Sequence, residues 1–309
     1  MTLLKDINLV EDSYKDGRIK SRYYYYNDKL HREDGPAVER FSPDGALESR
    51  LWYIDGKLHR ENGPAKECFY QNGIPSSLGW YINNKPHRAG DAASETFFED
   101  GKIKTRTWQF NGERYRENGP TEEVFYPSGS LKSCAWHLDG NIHRDDGPAV
   151  EFFNEDGSIQ SYGWRTHGLL HREDGPAFAT FRENNQLASY NWYLHGKLHC
   201  RTGPAQEGFY LDGSTRYRSW HFQGKQHRDD GPAHEAFYPD GTIQIREWSR
   251  DNGYHRLDGP AIEHFSITGR RTTATYCFNG ILVPKQEHRR LAVLAKLAAT
   301  HKYTQGVSL

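Results

Sequence analysis

The sequence predicts an all-β tandem-repeat protein: an elongated, twisted antiparallel meander of nine 28-residue β-hairpin units, with a C-terminal capping helix. Three observations carry this. First, one step of 28 residues recurs without insertion: His31 returns as His59, His87, His143, His171, His199, His227 and His255, with Tyr115 in the remaining slot. Second, nearly every unit carries Asp-Gly or Asn-Gly turn signals at fixed offsets, such as Asp44-Gly45 and Asp55-Gly56. Third, mean hydropathy is −0.92 while aromatics reach 14%. So low a hydropathy excludes a thick core, and so many aromatics exclude a disordered chain. A fixed period of this length is the signature of a repeat architecture.

The elements follow in order. Residues 1–30 form a partial copy, because Gly17 stands one period before Gly45. Residues 31–282 hold the nine tandem units. In the first, a strand is expected over 37–43, a second over 47–54 and a short third over 57–59. Two-residue type I′ turns at 44–45 and 55–56 pair Phe41 with Glu48, Glu39 with Arg50, Ala37 with Trp52, and Trp52 with His59. Alternation then places Phe41, Glu39, Ala37, Trp52 and His59 on one face. The segment Asp34-Gly35-Pro36-Ala37 is a loop feeding the next unit, since Pro36 has no N–H for a central strand. Each unit adds roughly 10–14 Å of sheet, and twist coils the ribbon. Residues 283–309 read as a helix after Pro284, with Leu291, Leu294, Leu297 and Ala298 on one face. Its expected role is to cover the last open sheet edge. Its charges (Lys285, Arg289, Arg290, Lys296, Lys302) also suit a homodimer contact or a membrane surface.

Composition narrows the function classes. With 40 basic and 41 acidic residues the formal net charge is −1, so no global field favours nucleic acid or membrane. The opening MTLLKDINLVED lacks a basic start and an apolar run, so no secretory leader is expected. No apolar stretch suits a membrane span. The four cysteines (68, 134, 200 and 277) are scattered over the repeats, which is no disulfide framework and fits a reduced, cytoplasmic setting.

The string Trp52…Asp55-Gly56-Lys57…His59…Gly63…Phe69…Asn72-Gly73 resembles the MORN repeat. That family has an aromatic strand, an Asn-Gly-Lys turn, a His-Gly pair and an aromatic strand ending in Asp-Gly. This unit is longer by about five residues, which lie in the Arg-Glu-Asp-Gly-Pro loop. It is similar to variants in antitoxin-like bacterial proteins, phages and large DNA viruses. The resemblance implies a binding scaffold of hairpins and leaves the partner open.

Candidate residues fall in columns. The His column does not suit one metal ion, because neighbours lie roughly 10–14 Å apart. Packing on Trp52 and a hydrogen bond to a Glu or a backbone carbonyl are expected of His59. No metal or cofactor site is expected. The Arg column (Arg32, Arg60, Arg88, Arg116, Arg144, Arg172, Arg228, Arg256) could track phosphates of lipid or nucleic acid. Acidic residues close behind it also suit internal ion pairs. The Trp column (Trp52, Trp80, Trp108, Trp136, Trp164, Trp192, Trp220, Trp248) and a Phe column from Phe41 to Phe265 read as the core. A Glu stands two residues before that Phe in eight of nine units, Ala179 excepted. Catalysis is not expected, since an active site is singular and these carboxylates recur. The repeat breaks at His-Arg-Ala-Gly-Asp-Ala-Ala (87–93), at Tyr115 and Thr121, and at Ala179 with Asn184-Asn185. These read as drift or as partner contacts. The variable column of Arg50, Arg106, Tyr162, Tyr190, Arg218 and Arg246 is the candidate partner-binding set. A non-catalytic protein–protein scaffold follows, for instance an adaptor, or an inhibitor in antitoxin or counter-defence style. Polyanion binding is the alternative, and a structural part of a particle the third reading.

Overall fold

A computed structural model describes residues 7–305 of the chain, with side chains through residue 298. The chain divides into two compact units between Ile159 and Gln160. Each unit is an antiparallel meander of hairpins in which every long strand pairs with the next along the chain. In the first unit, Asn8–Ser13 pairs with Ile19–Tyr26, and Ile19–Tyr26 with Val38–Phe41. Val38–Phe41 then pairs with Leu47–Leu51, and Leu47–Leu51 with Lys66–Phe69, and the pattern continues to Val150–Phe153. The second unit repeats it from Ser161, Tyr162 and Gly163 against Phe178–Phe181 to Ile262–Phe265 against Arg271–Thr275. Glu39 faces Arg50, as the sequence predicts.

Two expectations are corrected. Asp44-Gly45 is not a type I′ turn. Gly45 has φ +88°, whereas Asp44 has no positive φ. The Gly45 N–H donates to the Ser42 carbonyl at 2.9 Å, and the Ser42 N–H to the Ala46 carbonyl at 2.9 Å. This is a type I turn closed by a glycine bulge, with Pro43 at the position whose φ it fits. The bulge pairs Phe41 with Leu47 rather than with Glu48. It restores the register beyond, so Glu39 and Arg50 still meet. At Asp55-Gly56 the type I′ turn does form, with φ +49° and +75°.

The second correction concerns the strand expected over 47–54. It breaks at Trp52. Tyr53–Ile54 leaves the long-stranded sheet and pairs with Lys57–Leu58 as a separate short hairpin. Trp52 is the pivot: its N–H donates to the Ala65 carbonyl at 2.8 Å and its own carbonyl accepts the His59 N–H at 3.0 Å. Short hairpins stack on their neighbours too, as when the Gly56 N–H donates to the Leu30 carbonyl at 2.8 Å. Every 28-residue repeat therefore contributes two long strands and one short hairpin.

The core lies under the pivots. Ala37, Ala65, Ala149, Ala177, Ala205, Ala233 and Ala261 are fully buried, and Thr121 fills the same slot at 2% exposure. Of the Trp column only Trp108, at 6%, is equally deep; the others are half-buried.

Helix α1 spans Lys285–Gln305. It buries His288 and Ala292 rather than the expected face, and Leu294 and Leu297 are more than half exposed. It docks by the short-hairpin side: His288 Nε2 donates to the Arg256 carbonyl at 2.5 Å, and its ring lies 5.2 Å from Tyr276. The last long strand, Arg271–Thr275, stays exposed at four of its five residues, so the helix does not cover it. Lys302 lies outside the residues whose side chains are described.

Candidate functional site

The recurring loop is explained by what each of its residues touches. In the loop at 59–65, the Arg60 guanidinium lies 4.0 Å over the Trp52 ring. Its Nη1 donates to the Pro64 carbonyl at 3.0 Å and to Glu67 at 3.3 Å. A Cβ on Gly63 would stand 2.9 Å from the Arg60 Cζ, so a side chain there would press on the guanidinium where it now lies. The other arginines of the column repeat this on Trp80, Trp108, Trp136, Trp164, Trp220 and Trp248 at 3.8–4.2 Å, and Arg32 lies 4.2 Å over Tyr24. Acidic residues fix the guanidinium from outside, as Asp146 does for Arg144 at 2.8 Å. That contact holds the Asp146 carboxyl below its ordinary value. Stacking a guanidinium on an indole adds attraction to the burial of both groups.

The His column also has a defined task. The backbone N–H that opens the next short turn donates to His Nδ1, for example from Asp55 to His31 at 3.1 Å and from Asn279 to His255 at 3.2 Å. The ring therefore accepts a backbone N–H rather than bonding a carbonyl, while the other expected partner, a Glu, stands at its second nitrogen, with Glu61 4.0 Å from His59 Nε2. Its Nε2 faces the acid two residues on, as in His143 with Asp145 at 3.0 Å.

The break at 87–93 keeps its rung. Arg88 stays 3.9 Å over Trp80, Asp91 pairs with it at 3.0 Å, and the Ala92 carbonyl takes the place of the proline carbonyl at 3.1 Å.

The candidate partner column runs beside the Glu column. Glu235 receives Arg218 at 2.7 Å and Arg246 at 3.6 Å, and Arg106 reaches Glu95 at 3.2 Å. Arg50 lies 3.9 Å from Glu67 and 6.0 Å from the Phe69 ring centre. Tyr190 donates its hydroxyl to Glu207 at 2.6 Å, and Tyr162 packs on Phe181 at 5.9 Å. Burial first, then Glu207, pushes the Tyr190 hydroxyl well above its ordinary value. These side chains are thus tied to the sheet but keep one surface open; Arg50 and Arg218 are 43% and 40% exposed.

Sequence reasoning missed two features. The tyrosine after the recurring Phe bonds across repeats, as when Tyr70 donates to the Phe97 carbonyl at 2.7 Å and Tyr210 to the Phe237 carbonyl at 2.7 Å. The short hairpins also present large apolar side chains to solvent: Phe110 (42%) and Leu138 (46%) in the first unit, Leu169 (53%) and Phe222 (45%) in the second. The signal available was a large apolar residue recurring just before the second turn, as at Phe110, Leu138 and Phe222.

Among the described residues no group of three His, Cys, Asp or Glu is placed to hold a metal ion. No helix among them is long and apolar enough to cross a membrane.

No family model matches the chain, and no curated protein does. Two solved structures have weak similarity: TcdB2-TccC3-TEV, at 12% identity and TM-score 0.12, and TcdB2-TccC3, at 11% and 0.13. The alignments cover 80% and 86% of this chain but only 17% and 18% of those chains. Scores so low carry no functional argument.

Proposed function

We propose that the chain is a non-catalytic protein-binding scaffold of MORN-like hairpins, acting in the cytoplasm as an adaptor or as an inhibitor that masks its partner. One observation carries this reading. The arginines that could track a polyanion are already engaged, each on an aromatic ring and most with a carboxylate or a backbone carbonyl. The groups that remain available are apolar side chains on the short hairpins and half-exposed Arg and Tyr side chains beside the Glu column. Apolar patches rimmed by polar groups suit a protein partner better than a phosphate backbone. A role in phage or viral counter-defence stays within this reading, and so does a homodimer through the exposed Val293, Leu294 and Leu297 of α1.

The test is a tagged pull-down from host cells, examined by mass spectrometry, by the 260/280 absorbance ratio and by lipid extraction. A stoichiometric protein, weakened by Phe222→Asp with Leu169→Asp, is expected. Nucleic acid or anionic lipid without protein, lost steeply as salt rises, would move the function to the Arg column.

A further inference from the structure

One rung in the second unit is incomplete. Where the loop after Trp164 reads His-Arg-Glu-Asp-Gly-Pro (171–176), the loop after Trp192 reads His-Cys-Arg-Thr-Gly-Pro (199–204). The exchange removes two groups at once. The first is the guanidinium. Arg172 lies 4.2 Å over Trp164 and Arg228 3.9 Å over Trp220, but Cys200 cannot reach over Trp192 in this way. A Cβ on Gly175 or Gly231 would meet an arginine Cζ at 2.7 or 2.9 Å, whereas one on Gly203 would meet nothing within 4 Å. The second is the carboxylate at the His Nε2. His171 faces Glu173 and His227 faces Asp229, at 4.0 and 3.4 Å, but two residues after His199 stands Arg201.

His199 is only 9% exposed, and its buried Nε2 has no hydrogen-bond partner. Its Nδ1 accepts the Gln223 N–H at 3.1 Å. A neutral ring that accepts at one nitrogen carries its proton on the other. Burial first, and Arg201 second, hold the ring's pKa below its ordinary value, which keeps it neutral. An N–H donor buried without an acceptor is costly. The His199 ring borders a cavity of about 410 Å3 that is also lined by Trp192, Cys200, Arg201, Thr202, Arg172 and Glu173. At the cavity wall stand an indole with no guanidinium stacked on it and a ring whose buried N–H has no acceptor.

The geometry points to a ligand site here, for an arginine side chain of a partner polypeptide with an acidic residue beside it. The guest guanidinium takes the place that Arg172 and Arg228 hold in the flanking rungs, flat on Trp192 and against Gly203. Glu207, the column-mate of Glu67, stands as its counter-charge. The guest carboxylate accepts from His199 Nε2–H and pairs with Arg201. The ligand restores from outside the Arg-acid pair that the loop lacks. This rests on the protein-binding reading and sharpens it to a recognition chemistry.

The experiment is an NMR titration of the full chain, labelled at its tryptophan indoles, with acetyl-Arg-Glu-amide. The Trp192 signal, assigned by its loss in Trp192→Phe, is expected to shift saturably while the other indoles stay. Acetyl-Arg-Gln-amide is expected to bind about tenfold more weakly, since a hydrogen bond to a charged acceptor is lost. Cys200→Arg supplies the guanidinium internally and Gly203→Leu blocks the same space from the opposite wall; each is expected to abolish the shift. No Trp192 shift up to the solubility limit, equal shifts in the two blocked variants, or equal movement of all the indoles would overturn the site. Free arginine binding as tightly as the dipeptide would overturn the polypeptide ligand. A failed titration removes this pocket and leaves the scaffold to be judged by the pull-down.

Discussion

The Arg-on-Trp rung can be weighed by a double-mutant cycle at Arg144 and Trp136. The guanidinium lies 4.2 Å from the ring centre. Arg144 also pairs with Asp146 at 2.8 Å, but Asp146 is 83% exposed. Such a surface pair is worth at most about 1 kcal/mol. A cation over an indole contributes about 0.5–1 kcal/mol when exposed and about 2 when desolvated. Arg144 is 26% exposed, so a coupling of about 1–1.5 kcal/mol is expected. Truncating Trp136 to alanine costs about 3–5 kcal/mol, because a large, mostly buried ring is lost. Arg144→Ala alone should cost about 2 kcal/mol, the sum of the stacking and ion-pair contributions. A repeat array need not unfold in one step, so a single global melt does not report the rung. Native-state hydrogen exchange does, at the Trp136 N–H bonded to Ala149 and the His143 N–H bonded to Trp136, since both bonds survive the substitutions. Trp192→Ala, with no arginine lid, should cost about 1 kcal/mol less than Trp136→Ala. A coupling of zero within about 0.3 kcal/mol would refute the rung as a stabilising element.

Three further outcomes are expected. Gly147→Ala should lower local hydrogen-exchange protection, because its new Cβ would meet the Arg144 Cζ at 2.6 Å, while Gly203→Ala, with nothing within 4 Å, should be near neutral; equal losses of protection in the two loops would contradict their packing. A thiol-labelling time course should modify the half-buried Cys68 and Cys200 first and leave Cys134 and Cys277, both 5% exposed, until unfolding; burial pushes the Cys134 thiol up to about 12, and early labelling there would count against this. Stability should fall with acid. Burial lowers the pKa of His137, His199, His221 and His255 from 6.5, so the folded chain keeps them neutral. Below that value the unfolded chain binds protons that the folded chain refuses, so the stability present above it is lost as pH falls. Melting at about pH 7.5 and about pH 5.5, with His221→Gln as the flatter variant, checks the sign.

Much of the fold was legible, and the misses have causes. The step of 28 residues and the pairing of Glu39 with Arg50 follow from period and turn spacing alone. The break at Trp52 does not, because period-two alternation runs straight through it. What splits the strand is a pivot that donates to Ala65 on one side and accepts from His59 on the other, and both partners lie later in the chain. The bulge at Asp44-Gly45 was readable. A two-residue turn there would need an N–H at position 43, and proline stands there as Pro43, Pro127 and Pro239 in three units. The wrong helix face has another source: Leu294 and Leu297 look like core by spacing, yet α1 is seated by His288 on a carbonyl of the loop at Arg256.

In a chain of near-identical units, the question for each departure is whether the lost contact is rebuilt. At 87–93 the proline is gone, yet the Ala92 carbonyl receives Arg88 and Asp91 pairs with it, so the unit is whole by another route. At Ala179 the glutamate is gone, and the facing column carries Tyr162 and Tyr190 instead of arginine, so no cation loses its partner. At 199–204 the guanidinium and the carboxylate are both gone and neither is replaced: Gly203 faces open space and His199 Nε2 is left without an acceptor. Substitutions that leave a sealed rung cost the fold little. A rung left open on a buried donor costs stability in the free chain, and a ligand that closes it recovers that cost on binding. The unrepaired departure, rather than any recurring column, is therefore where recognition is expected to lie.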